Sequence, residues 1–308
     1  MYLKRITVGF ISVLLGIAFI FSAYIKLFPI EFFEFSFVEI NVANWLMAPF
    51  MARLFISLEF FLGILLLLNF NGGNHLLAKA TLVLLIFFTI YLFAIFAIQG
   101  NSGNCGCFGT YIKMTPLESI LKNIVLMSFT GILFLVPQKN NISNAKFVVL
   151  ATAISSLVTP FVLNPISTNH PPSDIEINYS LKLEALYSSE KDHKPNVDLR
   201  KGKKVVAFLS LTCPHCKLGA QKLNIIHDQH PELPIYFILN GEEAELKSFL
   251  EESKTKTISY SFMTLKEGFI ENAGLNLPSI LWVNNLKVEN RTKYTELDAD
   301  ALISWFEK

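Results

Sequence analysis

The chain has 308 residues, with 26 Lys and Arg against 25 Asp and Glu, 28 Phe and a mean hydropathy of +0.44. Residues 1–163 hold 14 of the 51 charged side chains, 22 of the Phe and no Asp, so one half suits lipid and the other water. That split excludes a wholly soluble enzyme, a disordered chain and a fibrous protein, and with no Lys/Arg cluster interleaved with aromatics no nucleic-acid partner is expected.

A membrane-crossing helix needs about 20 mostly apolar residues. Five segments answer to this in chain order: Ile6–Phe28, Leu54–Phe70, Leu76–Ile98, Ile120–Val136 and Phe147–Leu163. Met1–Arg5 is basic, like the start of a signal peptide. The apolar run after it is too long for one and lacks an A-x-A site, so an uncleaved span is expected. Five spans put the two ends of the chain on opposite sides. With the N-terminus inside, Lys4, Arg5, Lys79, Lys139 and Lys146 flank the inner face, against Lys26, Arg53, Lys113 and Lys122 outside. The orientation rests chiefly on Lys4-Arg5 and on the cysteine chemistry below. It places Pro29–Ala52, Gln99–Ser119 and everything after Leu163 outside. The first of these loops, rich in Phe and with Trp45, is expected at the interface or capping the bundle.

Lys26 ends the first span, Arg53 begins the second and Glu59 lies about two turns into it. A buried carboxylate needs a cation or a proton. These three residues therefore mark either a proton or quinone site, or an interhelical ion pair of Glu59 with Lys26 or Arg53.

The four cysteines form two close pairs. Cys105 and Cys107 lie in Asn-Cys-Gly-Cys-Phe-Gly between the third and fourth spans, and Cys213 and Cys216 in Cys-Pro-His-Cys. With the N-terminus inside, both pairs face the extracytoplasmic side, where disulfides persist. No cysteine lies in a span or on the cytoplasmic side, so thiol exchange alone does not carry electrons across the membrane. The terminal electron partner is then an outside protein, a small thiol or disulfide, or a lipid-soluble quinone. Cys105-Gly106-Cys107 closes a small, strained ring as a disulfide, and strained disulfides are the labile ones. Redox exchange, Cu(I) binding by two soft thiolates and a structural pair all remain open for it.

After Leu163, residues 164–174 read as a Pro- and Ser-containing linker, and residues 175–308 as an α/β domain. Strands are expected over Lys204–Ser210, Ile235–Leu239, Tyr260–Thr264, Pro278–Val283 and Lys287–Thr295, the last two joined by an Asn284-Asn285 turn. Helices are expected over Pro214–Gln229, Glu242–Glu252 and Asp298–Glu307, the last capped by Asp298. Cys213 then sits at a helix N-terminus, whose partial positive charge favours a thiolate, and His215 and Lys217 add to it. Cys213 is the expected nucleophile and Cys216 the resolving thiol. His170, His193, His227 and His230 are scattered among polar residues and read as solvated.

A strand leading into Cys-x-x-Cys at a helix start, followed by βα and ββα units, resembles the thioredoxin superfamily over about residues 175–308. Val197–Val206 before Cys-Pro-His-Cys is most similar to its membrane-tethered TlpA-like branch. The resemblance implies that Pro278 is the cis-proline beside the dithiol and holds a client chain extended. His in the third position is shared with oxidising DsbA-type enzymes and implies an oxidising couple. Two positions depart from the pattern. Thr212 stands where Trp is usual, and Ala207 stands near the usual buried acid, so proton transfer to Cys216 lacks its carboxylate. Over about residues 5–163 the helical pattern, Lys26, Glu59 and Asn104–Gly109 resemble the DoxX/MauE family, associated with disulfide formation in a periplasmic client. A membrane bundle carrying a thioredoxin domain is also the architecture of vitamin K epoxide reductase homologues, from which quinone use comes as an analogy.

The expectation is a membrane α-helical bundle joined to a thioredoxin-like domain in the periplasm of a bacterium's inner membrane. It would act as a thiol–disulfide oxidoreductase on extracytoplasmic client proteins, relaying electrons between Cys213/Cys216 and Cys105/Cys107; in the oxidative direction the loop pair passes them to a quinone, and in the reductive direction it takes reducing equivalents from elsewhere. No tightly bound cofactor and no metal are expected. The alternative is a membrane-anchored copper-binding module using the same dithiols, which the lack of Met-rich or His-rich stretches beside either pair disfavours.

Overall fold

In the computed structural model, residues 2–68, 75–101, 114–135, 145–166, 179–188, 194–255, 257–263 and 266–308 are described. The chain folds as two compact units, Met1–Ile166 and Ser167–Lys308.

The first unit is helical: α1 (Tyr2–Lys26), α2 (Glu31–Glu39), α3 (Ala48–Leu67), α4 (Leu76–Gln99), α5 (Pro116–Ile132) running into a 3-10 turn at Leu133–Leu135, and α6 (Ala145–Leu163). Among the described residues, α1, α3, α4 and α6 are each long and apolar enough to cross a membrane. The fourth predicted span, α5, has 17 α-helical residues before its 3-10 turn, about 31 Å in all from the rise per residue. It begins at Pro116, earlier than hydropathy indicates. Thr115 and Glu118 form a reciprocal capping box with proline in the first turn, and such a cap is polar by nature.

Small residues let α1 and α3 approach closely. A Cβ on Gly16 would stand 2.8 Å from the Gly63 carbonyl oxygen and the Leu67 nitrogen, the close backbone contact that membrane helices use in place of a hydrophobic driving force. The Ser12 hydroxyl donates to the Leu66 carbonyl at 2.8 Å. The aromatic 29–52 segment contains a helix, α2, whose Phe32, Phe33, Phe35 and Phe37 are buried. Phe37 packs between Phe55 and Tyr91, and the Tyr91 hydroxyl bonds Ser36 at 2.7 Å. Its nine residues carry Glu31, Glu34 and Glu39 among the aromatics, a stretch too short for a helical period to stand out in the sequence.

Pairings along α4 and α5 are those of an antiparallel hairpin: His75 with Phe134, Thr89 with Asn123, Asn101 with Leu117. The C-terminal half of α4, leading to the connected end of the hairpin, lies at the end of the bundle that holds Lys26 and α2, since Phe88 sits by Lys26 and Tyr91 by Ser36. The chain leaves the bundle at that same end. The Asn164 carbonyl accepts from Arg53 Nε at 2.8 Å, and its amide donates to the Leu27 carbonyl at 3.2 Å.

The second unit holds α7 (Glu184–Ser188), β1 (Lys203–Ser210), α8 (Pro214–Gln229), β2 (Ile235–Asn240), α9 (Glu243–Glu252), β3 (Ser259–Phe262), α10 (Lys266–Ala273), β4 (Ser279–Asn284), β5 (Lys287–Thr292) and α11 (Ala299–Glu307). The sheet order is β3-β2-β1-β4-β5. β1, β2 and β3 are parallel, and β4 runs antiparallel to both β1 and β5. This is a thioredoxin-like sheet with β3 added at its edge.

Two details differ from the sequence reading. The β4–β5 turn is Asn285-Leu286, not Asn284-Asn285. Asn284 pairs with Lys287, and both loop residues have positive φ, 49° and 67°, as a two-residue primed turn requires. Helices α7 and α10 were also not foreseen. Gly268 interrupts the helical signal in α10, which is instead held by buried Phe269 and by Asn272, whose side chain bonds both the N–H and the carbonyl of Lys182.

Candidate functional site

β1 delivers the chain to the N-terminus of α8, and Cys213 is that helix's cap residue. Its extended backbone (φ −79°, ψ 118°) turns Sγ back over the first turn, where it accepts the Cys216 N–H at 3.3 Å. A sulfur thus fills the place of a capping oxygen, satisfying a helix donor and facing the positive end of the helix dipole. Pro214 occupies the first turn, where it forfeits no intrahelical bond. Cys216 is fully buried, and its Sγ accepts the Ser210 N–H at 3.4 Å. Cys213 is half-buried, and both cysteines are free thiols.

The two thiols are driven apart in acidity. The Cys216 thiol, donating to the Cys213 sulfur, is the largest influence bringing Cys213 from 9.0 down to about 6. The N–H groups of Cys216 and His215 and charge at His215 add to it, against burial. Cys216 is pushed up strongly by that same hydrogen bond, by burial and by the charge on Cys213. At pH 7 Cys213 is then about ten parts thiolate to one of thiol, and the first proton lost by the pair is essentially its own. A thiolate at the less buried position with a protonated partner behind it is the arrangement that thiol–disulfide exchange requires.

The surroundings of the pair come from distant parts of the chain. Pro278 follows a cis peptide bond and leads into β4. A Cβ on Gly219 would stand 3.1 Å from Pro278 Cγ and 3.4 Å from Tyr294 Cβ, so glycine at this point of α8 lets both close onto the dithiol helix. His215 Nδ1 lies 3.2 Å from the Tyr294 hydroxyl. Lys217 is paired with Glu252 at 2.8 Å. Ala207 is fully buried on β1, and Thr212 bonds Ser210 through their hydroxyls at 3.3 Å. Tyr294 and Glu252 were missed from the sequence. Neither has a local signal, being 79 and 35 residues from their partners. Among the described residues, no three His, Cys, Asp or Glu side chains gather at one point.

In the bundle, Lys26 and Glu59 meet and Arg53 goes elsewhere. Lys26 Nζ lies 2.7 and 2.8 Å from the two Glu59 oxygens, donates to Ser22 at 2.6 Å and sits over the rings of Phe33 and Phe88. Arg53 bonds Glu34 at 2.6 Å and the Asn164 carbonyl. The Lys26–Glu59 pair forms part of the wall of a cavity of about 120 Å³, lined also by the apolar Phe19, Phe33, Leu85, Phe88 and Leu126 and by the polar Ser22, Tyr91, Lys122 and Asn123. Cys105 and Cys107 lie outside the described residues, in the connection of the α4–α5 hairpin.

Residues 4–136 match the family model of methylamine utilisation protein MauE. Over those residues the N-terminal unit is similar to the MauE family. The whole chain is 28% identical to protein TlpB of Flavobacterium psychrophilum, over 96% of this chain and 95% of the relative. Solved structures overlap it in part. The thioredoxin domain of a Bacteroides vulgatus thiol-disulfide oxidoreductase covers 35% of this chain and 79% of its own, at 19% identity and a TM-score of 0.29. A thiol:disulfide interchange protein from Bacteroides sp. covers 35% of this chain and 76% of its own, at 14% identity and a TM-score of 0.30.

Proposed function

We propose that this protein is a membrane-bound thiol–disulfide oxidoreductase that draws electrons from extracytoplasmic client proteins through Cys213 and passes them by way of Cys105 and Cys107 to a quinone. The observation that carries the reading is the pairing of a low-pKa Cys213 at a helix N-terminus with a buried, high-pKa Cys216. In the oxidative direction, the Cys213–Cys216 disulfide meets a client thiolate, which attacks Cys213. The client–Cys213 mixed disulfide forms and Cys216 leaves as thiolate and takes a proton. A second client thiolate then releases the oxidised client and leaves Cys213 as thiolate. Cys213 and Cys216 are reoxidised by exchange with the Cys105–Cys107 disulfide. The resulting loop dithiol gives two electrons and two protons to a quinone, which becomes a hydroquinone.

Three features support this direction. Thiolate stabilisation at Cys213 favours the reduced form of its pair, so the disulfide is a ready oxidant. The missing acid at Ala207 suits oxidation better than rapid reduction. The chain leaves the bundle at the end where α4 and α5 are connected, which suits exchange between the two cysteine pairs on one side of the membrane. The outer side is taken as the periplasm of a bacterial inner membrane, where such disulfides persist. Pro278, packed on Gly219, is placed to hold an extended client segment against the dithiol, and the cavity beside Lys26 and Glu59 is the place in the bundle suited to a quinone ring. Quinone depletion of membranes tests the direction. Cys105 and Cys107 should accumulate as thiols, followed by Cys213 and Cys216; if all four stay oxidised without quinone, the oxidative reading is wrong.

A further inference from the structure

The geometry points to Tyr294 as a positioning residue that acts through His215 to set the reduction potential of the Cys213–Cys216 couple. The inference rests on the reading of Cys213 as the exchanging thiol. Tyr294 follows β5 and is nearly buried, at 8% exposure. It is held independently of its hydroxyl: its carbonyl accepts from Lys222 Nζ at 2.9 Å, and its Cβ packs at the bare face of Gly219. Its hydroxyl lies 3.2 Å from His215 Nδ1, with the two rings tilted by 30° and their centroids 6.0 Å apart.

That contact fixes a ring that would otherwise turn in solvent, since His215 is exposed on the first turn of α8. A tyrosine hydroxyl suits both protonation states. It donates to Nδ1 of the neutral ring, leaving the proton on Nε2, and accepts from Nδ1–H of the imidazolium. The tether therefore holds the ring beside the helix start without opposing its charging. The other ionisable side chain of this turn, Lys217, is committed to Glu252, whereas charge at His215 bears on Cys213 directly. Positive charge there favours the Cys213 thiolate and, with it, the dithiol over the disulfide.

The test uses the full-length protein in detergent or nanodiscs, with Cys105→Ser and Cys107→Ser so that only one pair reports. The protein is equilibrated with glutathione and the Cys213–Cys216 state is read by alkylation and mass spectrometry. The reaction is dithiol plus glutathione disulfide going to protein disulfide plus two glutathione thiols, two electrons and two protons changing hands. Tyr294→Phe keeps the ring and the backbone anchor and removes the hydroxyl. It should raise the equilibrium constant for protein disulfide about threefold, about 14 mV more negative at 29.6 mV per tenfold. In a His215→Ala background the same substitution should change the constant by less than about 1.5-fold. An unchanged constant in Tyr294→Phe, or the same shift with and without His215, overturns the inference. Failure of the parent pair to equilibrate at all would instead overturn the functional reading on which it rests.

Discussion

The acidity of Cys213 is attributed above all to the thiol of Cys216, and Cys216→Ala removes that donor while leaving the backbone N–H groups in place. A hydrogen bond to a charged group contributes about 1.5–3 kcal/mol, and one pKa unit is about 1.4 kcal/mol. The Cys213 midpoint should therefore rise from about 6 to about 7–8. Thiolate reactivity grows with basicity, with a Brønsted slope of about 0.4–0.5, so the two ends of the pH profile move in opposite directions. At pH 6 the thiolate fraction falls from about half to about 1–10%, and after the gain in nucleophilicity alkylation should be about two to six times slower. At pH 9, where Cys213 is ionised in both proteins, the variant should react about three to eight times faster. The assay is the rate of iodoacetamide labelling of the Cys213 peptide from pH 4.5 to 9.5, in full-length protein lacking Cys105 and Cys107. A midpoint that stays within about 0.3 units of 6, or profiles that do not cross, would refute the assignment of the shift to Cys216.

Other outcomes follow from the same geometry. Because Cys213 has a lowered pKa in the folded reduced protein, its contribution to stability is complete above the unfolded value near 9 and is lost as pH falls through about 6. The melting temperature of the reduced form, relative to the oxidised form, should therefore climb between pH 5.5 and 8. Glu59→Gln leaves the Lys26 ammonium buried without its counter-charge and should destabilise the bundle by about 3–5 kcal/mol, whereas Lys26→Met with Glu59→Leu should restore most of that loss in an unfolding titration. Gly16→Ala places a methyl 2.8 Å from α3 backbone atoms, so it should lower bundle stability more than Gly131→Ala, where the added Cβ meets nothing within 4 Å.

The elements that the sequence announces are those with local chemistry. Strand β1, the Cys-Pro-His-Cys turn, the length of α8 and the Asp298 cap each depend on residues within a few positions, and the observed bounds agree to within a residue or so. The fit of Lys26 to Glu59 was one of two pairings open to hydropathy reasoning. What decides it is that Arg53 is occupied by Glu34, on the short helix α2 within a segment that reads as a loop. Tyr294, Glu252 and the contact of Pro278 with Gly219 are unreadable for a different reason: the sheet brings them to α8 from 35 to 79 residues away, and no periodicity records it. The Asn285-Leu286 turn escaped because leucine seldom takes positive φ, and Leu286 does so while packing against the core.

The central claim is that the two cysteine pairs are consecutive stations of one relay. Replacing Cys216 with Ser removes the thiol that would resolve a Cys213 mixed disulfide, so the intermediate with the loop should be trapped. In native membranes quenched with acid and mapped by non-reducing peptide mass spectrometry, the account requires a Cys213–Cys105 or Cys213–Cys107 linkage that disappears with Cys213→Ser. Finding Cys213 joined to client proteins and never to either loop cysteine would contradict it.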